Sequence, residues 1–535
     1  MGVGIGLLVL AGLVIGGIAV VRRVLGKRDD RPGGTGDILA YLLMALAVGV
    51  AGFALASLAA TAFPGDDFVV DVRGRVANSL AALVVAVPVA VFLWRRQEKR
   101  RTAHPESSGW TVYLALIEAV FMTSFVAALF GVFAWIFTES SDAGWANLIV
   151  FGGVIVLHEW AAQRTPPASD AAELPRVVGS AIGLVATAIG LGGAIGWLLS
   201  EVYATLAPTA GGSELGTWAS FLLAGAPVWY YRWLRPWPGE PTPPRNAWMF
   251  ITSVAGLAAF FGALTVSMVE TLLFLFTETE PAGSHFDFLP TTTSIVIVGA
   301  AVWAHHRNRL GRERTDPVRA YDYAMAAIGL LTTVGGATAL STVAFGSADL
   351  VGNTGEAVIV AASGLVVGAA VWLWFWMKAD RHPREVEAVS GPRRFYLIGM
   401  SVVLGLTSAG SLIAALVIVF QRLLGSGSDE SIVVPVSLFL FAGLATWHLL
   451  RTNNEDRELI GAEETLTPFD VTIICSHPGM IATQFPGVAR IKVLYRDDDD
   501  GVIDEEMAAE IVEAVGHRSA YVWVDGDGYR IAPSR

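Results

Sequence analysis

Three glutamates lie inside long apolar stretches of this chain: Glu118, Glu201 and Glu270. A carboxylate in the hydrocarbon interior of a bilayer is costly and rarely kept without a task. Glu201 and Glu270 occupy matching places, each 25 residues past an arginine (Arg176, Arg245) that opens its apolar run. Helical rise sets both about a turn and a half to two turns below one surface. Glu118 falls near the opposite surface, in a different layer. Two carboxylates facing each other across a packed interior would bind a cation or share a proton. The plainer reading has each reach a nearby hydroxyl or the headgroups, and the sequence favours it.

Other reactive residues point to less chemistry. His158, His305, His306 and His448 fall at helix ends among Trp and Arg, without recurring carboxylates, and read as interfacial histidines rather than metal or haem ligands. In "CSHPG" (Cys475 to Gly479) a thiol and an imidazole share one strand face, as a nucleophile and its base would. A small apolar cysteine ending a core strand is the simpler account. "RDDDDGVIDEEM" (Arg496 to Met507) has Asp498, Asp500, Gly501 and Ile503 at calcium-loop spacing, but Arg496 and Met507 stand where two principal ligands belong. It reads as an acidic turn. No catalytic residue, metal site or cofactor emerges, and an enzyme is the least favoured class.

The elements holding these residues follow from composition. The chain has 535 residues, 54% of them hydrophobic and 16% charged, which makes lipid rather than water its expected solvent. The single cysteine excludes an internal disulfide, and a net charge of −12 argues against nucleic acid. Apolar runs of about 20 residues or more, long enough to cross roughly 30 Å of hydrocarbon, recur thirteen times. The first, Val3 to Val21, has its positive charges after it rather than before it, so it reads as a retained helix and not a signal peptide.

Six pairs follow, each a long run and then a shorter one. They are Ile38 to Phe63 with Val76 to Trp94, Trp110 to Phe137 with Trp145 to Gln163, and Val177 to Leu206 with Leu215 to Leu234. The remaining three are Ala247 to Phe276 with Ser294 to His306, Ala320 to Phe345 with Ala357 to Met377, and Phe395 to Leu424 with Val433 to Leu450. Starts recur every 65 to 75 residues or so, and a unit of two spans returns to the same side, so the copies are parallel. Alternate loops hold 25 Lys and Arg on one side against only Arg73, Arg75 and Arg422 on the other. Positive loops stay inside, so the N-terminus is expected outside the cell membrane and the C-terminus in the cytoplasm.

The short runs end alike: "AVFLWRR", "VLHEWAAQR", "VWYYRWLR", "VWAHHRNR", "VWLWFWMK" and "TWHLLR". Trp229, Trp303, Trp372 and Trp447 share one register, with Trp233 and Trp376 four residues later and Trp94 and Trp160 at corresponding places. Indoles and snorkelling arginines favour the wet edge of a bilayer, so these eight tryptophans read as interfacial anchors. Glycines four apart, such as Gly179 with Gly183, Gly192 with Gly196 and Gly364 with Gly368, read as points of close helix approach.

"APVWYYRW" closing a short helix, a basic loop, then "RRFYLIGMSVVLG" (Arg393 to Gly405) opening a long one resembles the uncharacterised prokaryotic membrane family called domain of unknown function 5671. That resemblance implies four-helix units, three copies of them from Ile38 to about Arg451, and no known activity. Pro88 and Pro227 sit in the first short helices of units one and two, where unit three has Ala370.

After Arg451 comes a charged linker, then a segment with soluble-style alternation. Val471 to Cys475, Arg490 to Tyr495, Ala520 to Asp525 and Gly528 to Ala532 read as strands, with a helix over Asp504 to Gly516. The expected fold is an all-α polytopic membrane protein of about thirteen transmembrane helices, one N-terminal helix plus six parallel helical hairpin repeats, followed by a small soluble α+β domain. Its divisions are 1–37, then four-helix units over 38–165, 166–310 and 311–452, a linker over 453–465 and the cytoplasmic domain 466–535. The expected function is a membrane scaffold or sensor whose small domain binds a protein partner or ligand. Its rival is a transporter or channel using Glu201 and Glu270, with Glu118 as a further candidate binding residue.

Overall fold

The computed structural model describes residues 35–61, 72–103, 108–138, 144–167, 171–206, 215–235, 242–277, 281–311, 313–345, 354–425, 431–464, 469–475, 489–495, 503, 505–515, 519–525 and 528–533. The expected first helix, Val3 to Val21, lies outside them, as do His477 and most of the acidic turn after Arg496. The described residues fall in two compact units divided between Arg312 and Glu313.

In the first unit the helices are α1 (Thr35–Ala60), α2 (Val72–Ala103), α3 (Ser108–Thr138), α4 (Trp145–Arg164), α5 (Leu174–Leu206), α6 (Leu215–Trp229), α7 (Pro243–Thr277) and α8 (Leu289–Arg309). The second unit has α9 (Asp316–Phe345), α10 (Thr354–Asp380), α11 (Gly391–Leu423) and α12 (Val433–Glu464) before its sheet. The two helices of each expected pair pack on each other, but α2, with 32 residues against 26 in α1, is not the shorter member that its apolar run suggests, because its basic end continues the helix. Eleven of the described helices are long and apolar enough to cross a membrane. The helix beginning at Leu215 is not among them, because glycine, proline and a closing Trp-Tyr-Tyr-Arg stretch dilute its apolar content.

Large apolar side chains cover the outside of both units: Phe92 is 62% exposed, Phe276 75%, Phe395 81% and Leu406 69%. Water does not tolerate such a surface on a soluble monomer, whereas acyl chains do. Inside, the first unit packs Tyr41, Met44, Trp110, Tyr113 and Phe121 around Phe151.

Glycine sets the closest helix approaches. Gly183, Gly256 and Gly329, spaced 73 residues apart, lie against the backbone of Trp229, Trp303 and Trp372. A β-carbon on Gly183 would come 2.5 Å from the Trp229 nitrogen, and one on Gly256 2.6 Å from that of Trp303. No side chain fits there, so the helices touch backbone to backbone.

Two helices change pitch. Within α3, residues Glu118–Met122 form a π-helical turn, and α6 runs directly into another at Tyr230–Leu234. A further departure is that α12 continues to Glu464, so most of the stretch expected as a linker is helix. Its charges suit that outcome, since Arg451 pairs with Glu455 one turn on.

The small domain matches the expected strands and helix within two residues or so at each end. Strands β1 (Phe469–Cys475), β2 (Ala489–Tyr495), β3 (Ala520–Asp525) and β4 (Gly528–Pro533) form one sheet in the order β2-β1-β3-β4. The β1 strand is parallel to both neighbours, and β3 and β4 form an antiparallel pair. Helix α13 (Glu505–Val515) lays Ala508, Ile511 and Val515 on a core of Val471, Ile473, Val522 and Val524. Cys475 is buried in that core, and burial raises its thiol pKa above the ordinary value.

Candidate functional site

In both units the polar side chains gather where long helices begin and short helices finish. Glu118 starts the π-turn of α3 and is buried. Facing it is Arg232 from the π-turn after α6, whose guanidinium reaches Glu118 through Nε and Nη2 at 2.9 and 3.0 Å. Its third nitrogen lies 2.7 Å from Glu159 of α4. Gly179 of α5 leaves the space that the Glu118 carboxylate fills. Arg176, at the start of α5, donates to the backbone oxygens of Arg232 and Arg235 at 2.8 and 3.0 Å. Two carboxylates, one central guanidinium and two local distortions thus make one cluster. A π-turn shifts side-chain register by inserting a residue, which aims Glu118 and Arg232 at each other.

The second unit carries a larger network. Asp322 of α9 is fully buried and accepts from Arg314 and from Lys378 of α10, the latter at 2.8 Å. Glu387, in the turn Arg384–Ala388, accepts from Arg314 at 2.9 and 3.1 Å, Arg319 at 3.1 Å and the Tyr323 hydroxyl at 2.8 Å. Burial alone would raise the Glu387 pKa, but these donors outweigh it and hold the carboxyl below its usual range. Asp456, on the extension of α12, accepts from Arg393 at 2.6 Å and Arg384 at 3.0 Å, and Glu455 accepts from Arg384 at 2.8 Å. Beside this network opens a cavity of about 280 Å³, walled by Trp376, His448, His382, Asp380 and Thr452. It is the size of a small polar molecule.

Ring pairs repeat around these clusters. Trp94 meets His158 with centroids 5.7 Å apart, Trp233 meets His306 at 5.3 Å, and Trp376 meets His448 at 6.0 Å. Tyr41 lies 6.0 Å from Tyr113 in the first unit, and Tyr323 lies 5.4 Å from Tyr396 in the second. Two of the four histidines are buried in protein, while His305 and His448 are half-buried. His306 is fully buried, and the His158 Nε2 lies 2.7 Å from the Tyr113 hydroxyl.

The tryptophans expected as anchors divide. Trp447 and Trp160 face outward at 58% and 48% exposure, with Arg451 and Arg164 over their rings. Trp94, Trp229, Trp303, Trp372 and Trp376 are half-buried, and Trp233 is buried with its indole N–H donating to His305 at 3.0 Å. Of the three glutamates, Glu201 is exposed. Glu270 is half-buried beside His285, carboxylate to imidazole 3.8 Å. No ion pair or hydrogen bond joins Glu201 to Glu270 among the described residues. Among those residues, likewise, no cluster of His, Cys, Asp and Glu could hold a metal ion.

Sequence reading missed Glu159, Asp322, Glu387 and Asp456. Glu159, Asp322 and Glu387 stand in or beside basic loops and Asp456 in the charged stretch after Arg451, so neighbouring charges conceal which acids are buried. "AYDYAM", an acid opening an apolar run, was the available signal.

Comparison with curated proteins and with solved structures gives no match. A family model matches in two places, and Trp94 and Trp376, with the tyrosine pairs Tyr41–Tyr113 and Tyr323–Tyr396, lie within the matched segments. Of the stretches that carry the resemblance, Arg393 to Gly405 falls inside a match, while "APVWYYRW" lies between the two. Residues 37–144 and 319–444 match the family described as Domain of unknown function (DUF5671).

Proposed function

We propose that this chain is a multi-pass scaffold or sensor of the cell membrane, with its N-terminus outside and its small C-terminal domain in the cytoplasm. The observation carrying this reading is that the buried acids Glu118, Asp322, Glu387 and Asp456 are all held by arginine or lysine. Fixed ion pairs at one end of a bundle brace helices. They do not offer a moving cation a series of free carboxylates. Glycine-to-backbone contacts at Gly183, Gly256 and Gly329 support parallel repeats, and a rigid frame built from them suits a scaffold. The appended domain, with a core of its own, supports a partner- or ligand-binding role at 466–535.

Deleting 466–535 tests this. Membrane insertion should persist while cross-linked partners disappear, and recovery of the same partners without the domain refutes the reading.

One observation favours the rival transporter. Glu270 and His285 lie 3.8 Å apart, carboxylate to imidazole, and share no residue with the paired clusters, an arrangement that a cation- or proton-coupled carrier would use. Proton or cation flux into liposomes should then fall on Glu270→Gln and Glu201→Gln. Unchanged flux in both removes it.

A further inference from the structure

Helix α2 presents a stripe that none of the clusters above uses. Pro88, Val91, Phe92, Arg95, Arg96 and Lys99 lie side by side along one open surface of the helix. Their spacing keeps all six on one helical face, over about 16 Å of axis. The stripe is apolar in its first half and basic in its second. Phe92 is 62% exposed and Val91 45%, and the three cations beyond them are exposed too.

These cations differ from those of the clusters. Arg314, Lys378, Arg384 and Arg393 each face a carboxylate, and Arg101, on the other side of α2, sits 4.7 Å from the rings of both Trp94 and Trp110. Arg95, Arg96 and Lys99 have no ion-pair partner among the described residues. Glu98, their neighbour, turns to Arg101 at 3.6 Å. Three uncompensated positive charges within about one helical turn, directly continuous with an apolar wall, ask for a ligand that is negative at one end and hydrocarbon at the other.

We infer that this surface of α2 binds an anionic phospholipid, its phosphate between Arg95, Arg96 and Lys99 and an acyl chain along Phe92, Val91 and Pro88. The inference rests on the bilayer environment and not on the scaffold or sensor reading. Apolar contact contributes in proportion to area, while the three cations add selectivity for negative headgroups of about fivefold each, or about a hundredfold together.

The test uses the full-length protein in nanodiscs that mix phosphatidylglycerol with phosphatidylcholine, reading retained lipid by native mass spectrometry. Wild type should retain phosphatidylglycerol, and R95Q/R96Q/K99Q should lose about a hundredfold of that preference. The control R381Q/R394Q/R457Q removes three exposed cations elsewhere and should keep it. An equal loss in both variants would show bulk charge at work and overturn the site. Displacement of the lipid by millimolar inorganic phosphate would also overturn it, because the surface would then be a plain anion site without use for its apolar half. Phe92→Ser adds a readout that charge does not touch: retention should fall although all three cations remain.

Discussion

Glu118 and Arg232 stand 114 residues apart in the chain, yet each belongs to a π-helical turn and the two turns meet through the same ion pair. Local irregularity and long-range contact are therefore one feature. A regular helix at either place would rotate its side chain away from the partner by a large fraction of a turn.

Arg232→Ala should destabilise the first unit by about 3–5 kcal/mol, because it leaves Glu118 buried without a counter-charge. Glu118→Leu combined with Arg232→Met should recover most of that loss. Unfolding in mixed micelles, followed by tryptophan fluorescence, checks both. A single variant as stable as wild type would mean that solvent reaches Glu118.

The glycine contacts predict a contrast between near neighbours. Gly329→Ala drives a β-carbon into the backbone of Trp372, and overpacking of that kind costs about 1–3 kcal/mol. At Gly335, six residues on, nothing lies within 4 Å, and alanine should stabilise the helix slightly. Midpoints from thermal unfolding of the two variants should shift in opposite directions.

Acid should weaken the second unit through Glu387. Its pKa is depressed in the folded state, so its contribution is fully present above the unfolded carboxylate value of about 4.3 and lost as pH falls through the lower folded value. Unfolding midpoints taken between pH 7 and 3 should show this decline, and Glu387→Gln, already without the charge, should flatten it. Arg314, Arg319 and Tyr323 all donate to the group.

Cys475 should resist thiol reagents. Its side chain is sealed in the domain core and burial disfavours the thiolate, so maleimide labelling at pH 7 should stay near background until denaturant is added. Rapid labelling of the native protein would indicate that the small domain opens readily.

Much of this architecture was legible from period and composition. Long apolar runs with shared endings predict the paired helices, and alternation with turn residues predicts the four strands and one helix after Phe469. The site was less legible, for a physical reason. An ion pair such as Asp322 with Lys378 depends on two helices returning to the same depth, and no window of sequence holds both partners. Trp233 shows a second limit. It ends a short run as Trp447 does, yet it is buried against His305 and His306 while Trp447 is exposed, so residue type at a boundary does not decide whether a ring meets lipid or protein. The pitch change at Glu118 was invisible too, because that π-turn adds one residue to a helix with no proline or glycine inside the turn to announce it, whereas Pro227 precedes the one at Tyr230.

The extension of α12 to Glu464 has one more effect. Only five peptide steps separate Glu464 from Phe469, a reach of roughly 17 Å at full stretch. The sheet is on a short leash whose post is a stiff rod. Under the scaffold or sensor reading proposed above, a partner of this domain would be held within that reach of the end of α12, so its encounters with other membrane-bound molecules would occur at far higher effective concentration than in open solution.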